Sequence, residues 1–103
     1  MLDTTPLLTA VERLADRLRS TPESRLRRGA AAEGLALARE LALRAQRLEF
    51  PDREPRELPD AGLFSVADQL AVAGRDLALA MGTAPSGELD EAVKLVEAVE
   101  KNL

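Results

Sequence analysis

Between Thr21 and Phe50 the apolar positions fall at helical spacing. Leu26, Leu37, Leu41 and Leu48 share one side, Ala31, Gly34, Ala38, Ala42 and Ala45 fill the adjoining arc, and Arg25, Arg28, Arg39, Glu40 and Arg47 cover most of the remainder. This layout predicts one long amphipathic helix over 22–50 with a leucine edge and a small-residue edge. Before it, Leu7, Leu8, Val11, Leu14, Ala15 and Leu18 recur at steps of three and four and predict a first helix over about 6–20. After it, Val66, Leu70, Ala73, Leu77 and Met81 form the stripe of a third helix over 66–81. Leu89, Ala92, Val93, Val96, Val99 and Leu103 supply that of a fourth, over 88–102.

The residues between these stripes act as punctuation. Thr5-Pro6 and Thr21-Pro22 each read as a capping residue followed by a proline at the first helical position, where the missing N–H costs nothing. So short a link makes the first two helices antiparallel neighbours. Pro51 stops the second helix. Residues 51–64 carry Pro51, Pro55 and Pro59 with charges between them, and they read as a long connection that Leu58, Leu63 and Phe64 pin to the bundle. Ser65 with Asp68 approximates a capping box for the third helix, and Gly82 reads as its stop. Within the second helix, Gly34 marks a close helix crossing and Gly29 a local irregularity.

The expected fold is therefore all-α, a small antiparallel helical bundle of four helices forming a single domain over residues 1–103. Composition sharpens this. Leu and Ala together supply 37 of the 103 residues, and β-branched and aromatic strand formers are few. There is no Cys, His, Trp or Tyr. Disulfides, thiolate chemistry and histidine acid–base catalysis are thereby excluded, and base stacking has only Phe50 and Phe64 to work with. Ser20, Ser65 and Ser86 read as turn or capping residues, and Ser24 has no base to activate it.

The net charge of −4 is unevenly spread. Residues 1–50 hold nine Arg against seven acids, and residues 51–103 hold five basic groups against eleven. That asymmetry points to association between complementary patches. The opening MLDTTPLL lacks a basic segment followed by an apolar one, and no apolar stretch has membrane-spanning length, so the expected location is cytoplasmic with no membrane partner.

Three kinds of function follow from the residues that the core stripes do not use. Val72 and Leu79 lie seven residues apart beside Asp68, Gln69, Arg75 and Asp76, opposite Leu70 and Leu77. Leu43 lies in the charged arc of the second helix, and Leu95 falls outside the stripe of the fourth. Helices apolar on two faces call for burial on two faces, so Leu43, Val72 and Leu79 are candidate interface residues of a homodimer or of a complex with another protein. The alternative is a central third helix with neighbours on both sides. At 1.5 Å per residue the second helix spans about 42 Å, and its overhang past the first helix also invites a second subunit.

Arg17, Arg19, Arg25, Arg27 and Arg28 form a basic knot suited to an anion, an acidic partner or phosphates. Glu12, Asp16 and Glu23 dilute it, and no helix-turn-helix spacing accompanies it, which argues against nucleic acid. A Mg²⁺-dependent hydrolase would need converging acids, of which Glu33 and Glu40 are the least ordinary pair, yet Glu40 is also placed for Arg44. No cofactor is implied. The reading that these features favour is a non-enzymatic helical interaction protein.

Overall fold

The computed structural model describes residues 2–82 and 84–103. It is an all-helical four-helix bundle with a long second helix: α1 (Thr5–Arg19), α2 (Ala31–Glu49), α3 (Val66–Ala80) and α4 (Ser86–Asn102). A single helical turn, Glu23–Arg25, and a wider turn with π-type bonding, Leu26–Ala30, lead into α2. Gly29 breaks the helix there with φ 151° and ψ −19°, a backbone state that L side chains strain to adopt. The unbroken helix expected over 22–50 is thus a kinked one, and the irregularity sits at the glycine that the sequence marks.

The core stripes pack as their spacing requires. Leu7, Leu14, Leu41, Leu70, Leu77, Met81 and Val96 are fully buried, and they belong to one continuous cluster that Val11, Leu18, Leu26 and Ala38 extend. Removing a leucine of this kind from water is worth about 1.5–3 kcal/mol. At the margins the stripes are less exact. Leu8 and Leu48 are more than a third exposed, and Leu35, outside the expected leucine edge, is buried. Leu95 packs partly against the core.

Helix α3 is the hub. It packs most extensively on α2 and next on α1, and α4 packs on α1 and, less closely, on α2. The first two long helices are therefore not packed side by side as their short link suggests, because α3 and α4 each pack on both. Two glycines set the spacing. A Cβ on Gly74 would lie 2.7 Å from both γ carbons of Val11 on α1, and one on Gly34 would lie 2.8 Å from Val66 Cγ1 and 3.1 Å from Leu18 Cδ1. Gly34 is thus at a close crossing, where α1, α2 and α3 meet.

The expected caps are replaced by other contacts. The N–H of Thr5 donates to Asp3 Oδ1 at 3.0 Å, and helix α1 begins at Thr5 rather than after it. Ser20 and Thr21 hydroxyls donate back to the Arg17 carbonyl at 3.0 and 2.7 Å, closing α1 instead of opening the next helix. Ser65 makes no capping bond; a 3₁₀ turn, Leu63–Ser65, leads into α3. Helix α3 ends at Ala80, ahead of Gly82, and α4 starts at Ser86, two residues before the expected Glu88.

Residues 51–64 form an irregular strap along α2 and α3. The Gln46 amide grips it from both sides: Nε2 donates to the Arg56 carbonyl at 2.9 Å, and Oε1 accepts from the Arg56 N–H at 2.7 Å. Arg39 Nε donates to the Leu58 carbonyl at 2.8 Å, and Gln69 Nε2 donates to that of Pro59 at 2.9 Å. Leu58 and Leu63 pack on the core as expected, whereas Phe64 is 73% exposed and pins nothing. The strap and α3 cover much of α2. The break at Gly29 leaves α2 with 19 residues against the 15 of α1, about 28 Å against about 22 Å, so the overhang is small.

Candidate interaction surface

Helix α3 buries Leu70, Ala73, Gly74 and Leu77 against its neighbours and turns Asp68, Val72, Arg75, Asp76 and Leu79 outward. Val72 is 54% exposed and Leu79 76%. A central position in the bundle therefore does not account for them, since α1 and α2 flank the helix and leave this side open. Beside Val72 a groove of about 290 Å³ runs between α3 and the strap, with Ala42, Leu58 and Ala73 in its lining.

One charge on this face has a partner among the described residues and two do not. Arg19 at the end of α1 donates to Asp68 at 2.9 Å and to Asp16 at 2.9 Å, and the bond to Asp68 raises the affinity of the guanidinium for its proton. Arg75 and Asp76 take part in no ion pair among the described residues. The third candidate interface residue, Leu43, lies elsewhere. It is half-buried beside Arg39, Arg47 and strap residues 54–57 and shares no groove with Val72 or Leu79.

Three of the five arginines of the knot are engaged within the chain. Arg17 donates to the Glu100 carbonyl at 3.1 Å, Arg19 is held by two aspartates, and Arg27 pairs with Glu23 at 3.2 Å, leaving Arg25 and Arg28 exposed without an ion-pair partner among the described residues. Arg13 also reaches the Glu100 carboxylate at 3.1 Å. In the same way Arg44 bridges Glu40 at 2.7 Å and Glu91 at 2.8 Å. Burial disfavours its charge, but the two glutamates outweigh burial and raise its pKa. Ion pairs at Arg13, Arg19, Arg39 and Arg44 thus join the basic first half of the chain to acids of the second. Each exposed pair is worth about 1 kcal/mol or less, yet together they leave fewer free cations for phosphates.

For catalysis the materials are sparse. Among the described residues no three acids are grouped closely enough to hold a metal ion, so Glu33 and Glu40 do not converge with a third. Likewise no helix is long and apolar enough to cross a membrane. Comparison with family models, with curated proteins and with solved structures yields no match.

The strap anchors Arg39, Gln46 and Gln69 do not appear among the sequence candidates. Arg39 and Gln46 are seven residues apart on one side of α2, where they reach the carbonyls of Leu58 and Arg56, and that spacing is the one sequence signal that could have found them.

Proposed function

We propose that this chain is a non-enzymatic interaction protein, a single helical domain that works in the cytoplasm as a homodimer formed through the outer face of α3. The observation that carries the reading is the exposure of Val72 and Leu79, two turns apart on a helix whose other side already supplies the core. Burying both is worth about 3 kcal/mol per protomer, hence about 6 kcal/mol across a symmetric pair. Association costs about 4–15 kcal/mol. The flanking polar surface must therefore contribute, and a dimer of micromolar rather than nanomolar affinity is expected.

Twofold symmetry makes the test sensitive, because every substitution acts twice. Leu79→Ala removes three carbon groups from a side chain that is 76% exposed in the protomer, which comes to about 1.8 kcal/mol per copy and a few hundred-fold in the dimer Kd. Sedimentation equilibrium measures this. A Kd that Leu79→Ala leaves unchanged removes the outer face of α3 from the interface.

A further inference from the structure

We infer that two copies of α3 meet in parallel, about a twofold axis running along the helices, with Arg75 of each protomer facing Asp76 of the other. The inference rests on the homodimer reading above and adds its geometry. At about 100° per residue Val72 and Leu79 lie nearly on one line along the helix, and Arg75 and Asp76 fall about 50° to either side of that line, on opposite flanks. Both side chains are exposed, and neither takes part in an ion pair among the described residues. The other charge of this face, Asp68, is already held by Arg19.

Symmetry then decides between the two ways of pairing the helix with itself. A twofold axis perpendicular to the helices, the antiparallel case, carries each flank onto its own kind. Arg75 would meet the partner's Arg75, and Asp76 would meet the partner's Asp76, both like-charge contacts. A twofold axis along the helices carries each flank onto the opposite one, so the same four side chains form two reciprocal pairs of opposite charge. The parallel arrangement also sets Val72 against the partner's Val72 and Leu79 against the partner's Leu79. It gathers both copies of Phe64, each 73% exposed, at one end of the pair; the antiparallel arrangement separates them. Charge complementarity selects the parallel pair, as it selects orientation in other helix pairs.

The absence of cysteine from the chain makes the geometry directly readable. A disulfide needs Cα atoms within about 7 Å, which equivalent positions on a twofold seam satisfy. Val72→Cys and Leu79→Cys leave the core intact but shorten seam side chains, so the reaction is run at about 0.5 mM protein to populate the weakened dimer. Under mild oxidation each variant alone should give a covalent dimer, and an equimolar mixture, one variant carrying a size tag, should give no Val72–Leu79 cross-product beyond background. A mixture that yields the cross-product while neither variant links to itself overturns the parallel arrangement and leaves the homodimer standing. A chain that sediments as a monomer at every concentration overturns both. Charge reversal supplies the second arm. Arg75→Asp and Asp76→Arg should each weaken the dimer roughly tenfold, and the double variant should restore it, because reversing both charges rebuilds two attractive rim pairs. Single reversals without effect contradict the Arg75–Asp76 pairing.

Discussion

Gly74→Ala tests the packing that makes α3 the hub. A Cβ at position 74 would lie 2.7 Å from Val11 Cγ1, 2.7 Å from Cγ2 and 3.1 Å from Cβ. Val11 cannot rotate away: both of its γ carbons face the added atom, and a β-branched side chain has one strongly preferred rotamer in a helix. Relief must come from separating α1 and α3, which also loosens Leu14, Leu70 and Leu77, all fully buried. Overpacking of this kind costs about 1–3 kcal/mol. Two contacts of 2.7 Å against a side chain that cannot turn place the cost in the upper half of that range; replacing glycine by alanine within a helix returns roughly 1 kcal/mol, so the net loss should be about 1–2 kcal/mol. Urea unfolding, with an unchanged slope, measures it. Gly87→Ala is the control, since a Cβ there meets nothing within 4 Å and the residue lies in the first turn of α4; it should be neutral or slightly stabilising. Combining Gly74→Ala with Val11→Ala should recover part of the loss through a coupling of about 1 kcal/mol. A Gly74→Ala protein as stable as the wild type would refute so close an approach of α1 and α3.

Gly29→Ala isolates backbone strain: φ is 151° and no atom lies within 4 Å of the added carbon, so a loss of about 1–3 kcal/mol in urea unfolding would come from conformation alone. Full stability would mean that the turn relaxes into a regular helix. Gln46→Leu should free the strap while the core stays intact, and trypsin should then cut faster after Arg53 and Arg56, with little change in thermal midpoint. Unchanged cleavage would show that Arg39 and Gln69 suffice to hold the strap. Hydrogen bonding from Thr5, side chain first and N–H second, holds the Asp3 carboxyl below its ordinary value of 3.8. A depressed folded-state value means that its contribution to stability is complete above the unfolded value and is lost as pH falls through the folded one. An NMR titration of Asp3 with a midpoint at or above 3.8 contradicts this, and Asp3→Asn should remove that part of the acid dependence.

Much of the bundle was legible because helical periodicity is local. Leu7, Val11, Leu14 and Leu18, then Leu70, Ala73 and Leu77, are buried as their spacing requires. Gly34 stands at a crossing as an arc of small residues implies, and Glu40 pairs with Arg44 one turn away. What escaped the sequence depends on contacts between distant residues. The arginine knot reads as a free basic patch until Glu100 and Asp68, 83 and 49 residues away from Arg17 and Arg19, are folded against it. Thr21 has the right chemistry for a cap, yet its hydroxyl finds the nearer Arg17 carbonyl. Gly74 drew no reading from the sequence and lies at a close approach of α3 to Val11 on α1. The exposed pair Val72 and Leu79 was legible as a face without a core role, whereas the position of Leu43 beside the strap depended on how residues 54–57 return across α2.

The central claim is that the outer face of α3 joins two copies of this chain, and solution mass tests it most directly. Static light scattering across a concentration series spanning about 1–500 μM, wide enough for a micromolar dimer, should show the mass rising from 11.1 kDa towards twice that value. The Val72→Glu/Leu79→Glu protein should hold at the monomer mass with an unchanged helical signal. A wild-type chain that stays at 11.1 kDa throughout, or a double variant that dimerises as well as the wild type, contradicts the account.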